Sequence, residues 1–344
     1  MSAIDLVRES LRGFDGYRSA RREATGGEVL LNANESPWPP VGDPGLGLNR
    51  YPDPQPPALR AALARLYGVD EAGVLVTRGS DEGIDLLVRA LCRPGRDAVL
   101  VCPPTFGMYA VSARVQEAPL IEAALAQTDE GFAVAPERVI AAALAGAARL
   151  VFLCSPNNPT GASIRPGEIA RIARALRESA VVAVDEAYVE FSGTAPATGL
   201  LPVHGNLVVL RTLSKAHALA GARVGALLGP PALVAVLRAI MAPYPLAAPC
   251  VAAALRATCE DALEATRRRV ATLLGERERL ASALRALPGV QRVYASDANF
   301  LLVRMAGAAA VRERAAAAGV LVRDVSHQPG LEDCLRISIG TPQE

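Results

Sequence analysis

Lys215 is the residue of this chain with the most chemistry to offer. It stands in Arg211-Thr212-Leu213-Ser214-Lys215-Ala216-His217-Ala218-Leu219-Ala220-Gly221-Ala222-Arg223, between an apolar run and a segment of small residues. Lysine is rarely buried without a partner, so a buried-looking lysine here asks for a role. Its amine can condense with an aldehyde, and the flanking hydroxyls and guanidinium can hold a phosphate. Pyridoxal phosphate needs both. Taken alone, the segment would equally suit a surface turn with scattered charges.

Val181-Val182-Ala183-Val184 reads as a buried parallel strand and ends in Asp185-Glu186-Ala187-Tyr188. A carboxylate at the C-terminal end of such a strand lies where open α/β sheets bind ligands. There it can keep a pyridine nitrogen protonated, so that the ring draws electrons. Upstream, Leu150 to Cys154 is another strand candidate. It runs into Ser155-Pro156-Asn157-Asn158-Pro159-Thr160-Gly161, a loop dense in turn formers. Each acid or asparagine alone could be a cap or a turn. In this order, with Lys215 following, they form a specific signal.

The elements that must position these residues alternate along the chain. Pro56-Pro57 opens a helical pattern that stops at Gly68. Val74 to Thr77 is a strand, Ser80 resembles an N-cap for a helix through Leu91, and Pro94-Gly95 closes it. Ala98 to Cys102, Arg149 to Cys154, Ala180 to Asp185, Leu207 to Leu210 and Val224 to Leu228 read as strands, with a helix over Pro166 to Glu178. This alternation predicts an α/β fold with a mainly parallel sheet covered on both faces. The last third differs. A helical region from Pro249 through Leu287 precedes strands near Gln291 to Val293, Phe300 to Val303 and Leu335 to Ile339, which predicts a smaller α+β domain.

Composition removes several function classes. The 344 residues carry 36 basic and 35 acidic side chains, a balance that disfavours nucleic-acid binding. The most apolar stretch, 226–254, is broken by Pro230-Pro231, Arg238, Pro243 and Pro245, so no spanning helix is expected. Asp5, Arg8 and Glu9 near the N-terminus do not suit a secretory signal. Six cysteines without a C-x-x-C pair and three isolated histidines give poor metal-site spacing and suggest reduced cytoplasmic thiols; no metal is expected. Gly221, Gly225 and Gly229 are spaced by four, unlike a dinucleotide fingerprint.

The motifs together resemble the fold-type I pyridoxal-phosphate aminotransferases, and within them the histidinol-phosphate branch. The resemblance runs over nearly the whole chain. It rests on Tyr17-Arg18-Ser19-Ala20-Arg21, Leu31-Asn32-Ala33-Asn34-Glu35-Ser36-Pro37, Arg50-Tyr51-Pro52, Gly79-Ser80-Asp81-Glu82-Gly83-Ile84-Asp85 and Pro104-Thr105-Phe106-Gly107-Met108-Tyr109. The Ser155 to Gly161 loop, Asp185 to Tyr188, the Lys215 segment and Arg336-Ile337-Ser338-Ile339-Gly340 complete it. The chain departs from the family in having Ala218 where Gly is frequent and Ser36 where Asn is frequent.

The resemblance implies a seven-stranded large domain over 28–240 and a small domain made of 1–27 and 241–344. It implies a cytoplasmic homodimer that binds pyridoxal phosphate and exchanges an amino group between histidinol phosphate and 2-oxoglutarate or glutamate. Lys215 would hold the cofactor and move the proton at the substrate carbon, Asp185 would pair with the ring nitrogen, Tyr188 and Asn157 would donate to the ring oxygen, and Tyr109 would stack on the ring. The phosphate would take the backbone around Ser80 and Asp81 at a helix start, with Thr212, Ser214 and Arg223, and Tyr51 from the second subunit. Arg336 and Arg323 would hold the substrate anion in bidentate fashion, and Tyr17 and Asn34 would complete the pocket. Threonine-phosphate decarboxylation and aromatic amino transfer are alternative uses of the same scaffold. A cofactor-binding regulator would need a DNA-binding segment, and none is evident.

Overall fold

The computed structural model of the chain describes residues 3–17 and 29–344. In chain order come β1 (Val74–Thr77), β2 (Ala98–Val101), β3 (Leu120–Glu122), a separate hairpin of β4 (Ala126–Thr128) and β5 (Gly131–Ala133), then β6 (Ala148–Cys154), β7 (Val181–Asp185), β8 (Leu207–Thr212) and β9 (Gly225–Leu228). Seven of them form one sheet in the order β1-β9-β8-β7-β6-β2-β3, and only β9 runs against its neighbours. Successive side chains of a strand feed opposite faces. Val182, Val184 and Val209 therefore enter one core cluster, and Val181, Ala183, Val208 and Leu210 the other. A sheet buried on both sides can be apolar at every position, which is why β7 and β8 read as unbroken aliphatic runs.

The helices supply the two covers. On one face lie α1 (Pro57–Tyr67), α4 (Pro136–Ala145) and α5 (Pro166–Ala175), where Leu59, Leu63, Val139, Ile169 and Ile172 pack; α2 (Ser80–Leu91) and α3 (Met108–Val115) cover the opposite face. On the other face Ile84, Leu87 and Leu91 of α2 pack with Leu233 and Leu237 of α6 (Pro231–Ile240). Helix α1 begins with proline in its first turn and ends at Gly68, whose φ of 65° suits the left-handed C-cap. Ser80 is the first residue of α2 rather than its cap; Gly79 is the N-cap.

The chain continues through α7 (Ala248–Ala257) and α8 (Glu260–Arg285) into β10 (Val290–Val293), β11 (Phe300–Met305), α9 (Ala308–Ala317), β12 (Arg323–Asp324) and β13 (Cys334–Ser338). These four strands form an antiparallel sheet in the order β10-β11-β13-β12. Leu284 of α8 packs on it against Leu301, Val303 and Leu335. The helical region expected to run unbroken from Pro249 is two helices, because Cys259 turns extended (φ −75°, ψ 159°) between them.

Ala3, Leu6 and Val7 are buried with Leu87 and Leu233 in the core of the large sheet, and the Arg8 N–H donates to the Ala90 carbonyl at 2.9 Å. The described N-terminal residues thus pack on the large body, not the small one. Leu246 and Ala254 also join the large core. The edge placed between residues 27 and 28, and most of the Tyr17 to Arg21 motif, lie outside the described residues. Among the described residues no helix is long and apolar enough to cross a membrane.

Candidate active site

The parallel strands deliver the site. Backbone register sets Asp185, the last residue of β7, beside Cys154 of β6 and Leu210 of β8. Their C-terminal ends open on a cavity of about 250 Å³. Its lining includes Asp185, Ala187 and Tyr188 after β7, Cys154 and Asn158 after β6, Thr212, Ser214 and Lys215 after β8, Ser80 and Asp81 at the start of α2, and Phe106, Arg223 and Arg336.

Asp185 is 2% exposed. One carboxylate oxygen accepts the Tyr109 hydroxyl at 2.8 Å and the other the Ala187 N–H at 3.2 Å. Burial nevertheless pushes its pKa up to about 6, against the pull of these bonds, because a carboxylate loses its hydration there. Lys215 is more open than its sequence surroundings suggest: its side chain is exposed to the cavity. Partial desolvation of its amine, then the positive charge of Arg336 and Arg223, hold it below the ordinary lysine value. Its nitrogen lies 5.4 Å from the centre of the Tyr188 ring, and that ring stands edge-on to Phe300 of β11.

One end of the cavity is built for an anion. The α2 N-terminus presents its first N–H groups, and the helix dipole adds positive potential. Arg223 donates to the Ser214 hydroxyl at 3.1 Å and to Asp81 at 3.0 Å, while Thr212 and Ser214 share a 2.9 Å bond. At the small sheet, Arg336 of β13 reaches across and donates to the Asn158 side-chain oxygen at 2.6 Å. Buried Arg211 of β8 binds Glu186 at 3.3 Å and Glu190 at 2.6 Å with its carbon 4.4 Å from the Tyr67 ring centre, tying β8 to the segment after β7.

A family model described as aminotransferase class I and II matches residues 42–344. The chain belongs to this family. Its relative from Stenotrophomonas maltophilia (strain R551-3), a histidinol-phosphate aminotransferase, is 56% identical over 99% of this chain and 94% of its own length. The structure of histidinol-phosphate aminotransferase from Sinorhizobium meliloti in complex with pyridoxal-5'-phosphate superposes with a TM-score of 0.78 at 26% identity, over 86% of this chain and 80% of that one. An L-threonine-O-3-phosphate decarboxylase from Porphyromonas gingivalis shares the fold, with a TM-score of 0.73 at 24% identity over 86% of this chain and 87% of that one.

The donor set of this aminotransferase fits pyridoxal phosphate. Among the described residues no cationic side chain bonds to buried Asp185, which leaves its charge for a pyridinium. The α2 start with Thr212, Ser214 and Arg223 matches a phosphate, and Lys215 supplies the amine for an aldehyde. Ser80, Asp81, Asp185, Tyr188, Thr212, Ser214, Lys215, Arg223 and Arg336 all line this one cavity.

Two residues expected there do not line this cavity. Asn157 is turned into the loop. Its amide donates to Pro104 and Thr160 at 2.9 and 2.8 Å and its oxygen accepts from Thr105 at 2.8 Å, so its polar atoms are committed to the loop, and Asn158 faces the cavity instead. Tyr109 is fully buried with its ring parallel to Phe152 at 4.6 Å, so it presents no face to a ligand; Phe106 lines the cavity in its place. Four others lie away from this cavity. Tyr17 lines a pocket with Arg60 and Arg238, and Asn34 and Tyr51 line another with Arg50 and Pro249. Arg323 is exposed, but it pairs with Arg336 across β12 and β13, so both side chains leave the same face of the small sheet.

Proposed function

We propose that the protein moves an amino group between L-histidinol phosphate and 2-oxoglutarate, giving imidazole acetol phosphate and glutamate in histidine biosynthesis, with pyridoxal phosphate as cofactor. One observation carries this: Lys215 lies within electrostatic reach of two guanidiniums with different settings, Arg223 at the α2 start and Arg336 on Asn158. One suits the phosphate of a cofactor and the other the anionic end of a substrate. The name of the relative from Stenotrophomonas maltophilia points the same way.

When bound, pyridoxal phosphate supplies an electron-withdrawing ring that acidifies a C–H bond next to the amine. The protein's own groups do the rest. The first N–H groups of α2, Thr212, Ser214 and Arg223 bind the phosphate, and Asp81 fixes Arg223. Asp185 holds a proton on the ring nitrogen; Asn158 and Tyr188 orient the ring oxygen. Lys215, with its lowered basicity, would take the proton from the substrate carbon. Arg336 binds either the α-carboxylate of glutamate or the phosphate of histidinol phosphate, because a planar guanidinium accepts both. Arg323 adds a second guanidinium for the bulkier dianion, and Tyr17 and Asn34 close the pocket. Tyr51 reaches the phosphate of the partner site in a cytoplasmic homodimer.

Paired assays test this. With L-histidinol phosphate and 2-oxoglutarate the protein should form glutamate and imidazole acetol phosphate. With threonine phosphate it should release no carbon dioxide. Carbon dioxide release without amino transfer would replace this reading with the decarboxylase.

A further inference from the structure

Asp185 meets a donor that the proposed chemistry leaves unused. The Tyr109 hydroxyl donates to its Oδ2 at 2.8 Å, from a side chain with 0% exposure. The ring is fixed on two sides: parallel to Phe152 at 4.6 Å and 6°, and edge-on to the cavity-lining Phe106 at 5.5 Å and 85°. It lies in α3, one residue past the helix start, on the face turned to the sheet. Rings wedged in this way do not rotate freely, so packing fixes the hydroxyl oxygen within reach of Asp185, with the weaker acceptor Cys154 its other neighbour. The other charged or ionisable groups acting on Asp185 are Lys215, Asp81 and Tyr188 at longer range and Cys154 alongside in the sheet.

A carboxylate that shares a proton with a pyridine nitrogen can keep it on nitrogen or draw it to oxygen. A hydrogen bond donated to the carboxylate stabilises its charged form and lowers its proton affinity. We infer that Tyr109 is a positioning residue that keeps the proton shared by Asp185 and the cofactor on the ring nitrogen. No atom is gained or lost: the hydroxyl stays neutral, and the proton sits as N–H against a carboxylate rather than as O–H against a neutral ring. The same tyrosine sets the edge of Phe106, so one side chain adjusts both the charge of the ring and the wall beside it. Burial raises the Tyr109 hydroxyl well above its ordinary value, which keeps it a donor across the working range.

This inference rests on the pyridoxal-phosphate reading, and the test separates the two. The full-length protein is loaded with pyridoxal phosphate carrying nitrogen-15 in the ring, and its resonance is compared in wild type and Tyr109→Phe, which keeps the ring and removes only the hydroxyl. Failure of the wild type to bind the labelled cofactor would sink the functional reading. With the wild type bound and its nitrogen protonated, Tyr109→Phe should move the resonance toward the unprotonated position. The proton equilibrium should change by about tenfold, the size expected for one charge-assisted hydrogen bond. An unmoved resonance would overturn the inference. If Tyr109→Phe does not hold the cofactor, the infrared titration of the Asp185 carboxyl in the cofactor-free protein decides, with the band assigned by its loss in Asp185→Asn. Its midpoint should rise by about one pH unit in Tyr109→Phe, and equal midpoints would overturn the inference.

Discussion

Asp185 is held in conflict by its surroundings, and that conflict is measurable. Its pKa in the folded chain is about 6 against an ordinary 3.8, so between these values the folded state binds more protons than the unfolded one. The cofactor-free protein should therefore lose stability as pH rises from about 4 to 6, by up to about 3 kcal/mol. Asp185→Asn should remove this dependence and raise the midpoint of thermal unfolding above pH 6 in the absence of cofactor, while amino transfer collapses. A cofactor-free variant no more stable than wild type at pH 8 would contradict the strain assigned to this carboxylate. At this scale the sequence carried the residue types but not always the choice between neighbours. Asn157 and Asn158 share one loop with no repeating geometry, and only the bonds to Pro104, Thr105 and Thr160 show which one turns inward. Phe106 and Tyr109 are both rings in one motif. The start of α3 at Met108 puts Tyr109 on the buried helix face and leaves Phe106 in the loop before it, a phase that could have been read only by locating that start.

The α2 N-terminus shows how one backbone position shapes an anion site. Gly79 has a φ of 74°, and a Cβ there would come within 2.7 Å of the Arg223 Nη2. A side chain at this φ also strains the backbone, so Gly79→Ala would shift the α2 start as well as displace the flexible guanidinium, and both changes disturb the anion site. The loss of one charge-assisted bond should weaken pyridoxal phosphate binding by roughly ten- to a hundredfold. Equilibrium titration of the cofactor-free variant measures this, and unchanged affinity in a folded variant would mean that Arg223 does not hold the phosphate. Ala218, where the family often has glycine, sits at φ 56°, so this chain accepts a left-handed non-glycine residue beside its lysine. Elements buried on both faces were legible because their aliphatic runs are continuous. Edge strand β3 was not: Leu120 to Glu122 is short and largely exposed, without a buried face to pattern it. The break between α7 and α8 carries no Gly or Pro, so it too left no mark in the sequence.

On the scale of the molecule, the large sheet supplies the lysine, the aspartate and the anion cradle, while the small sheet contributes Arg336 to the same cavity. Tyr51 is 49% exposed, stacks on Tyr244 at 4.3 Å, and stays outside its own chain's cavity. Its assignment to a partner's site predicts complementation. Heterodimers of a Tyr51→Phe subunit with a Lys215→Ala subunit should contain one site with every native group and regain activity beyond either parent; verified heterodimers without that gain would place Tyr51 elsewhere. The packing of the described N-terminal residues was not legible, because Ala3, Leu6 and Val7 follow no periodic run long enough to show which core receives them. The most direct measurement mixes the cofactor-loaded protein with L-histidinol phosphate alone and follows a single turnover. One imidazole acetol phosphate per site should form, with the cofactor left in its amine form and no carbon dioxide released. A cofactor spectrum unchanged by L-histidinol phosphate, in protein that does convert glutamate or an aromatic amino acid, would contradict the account.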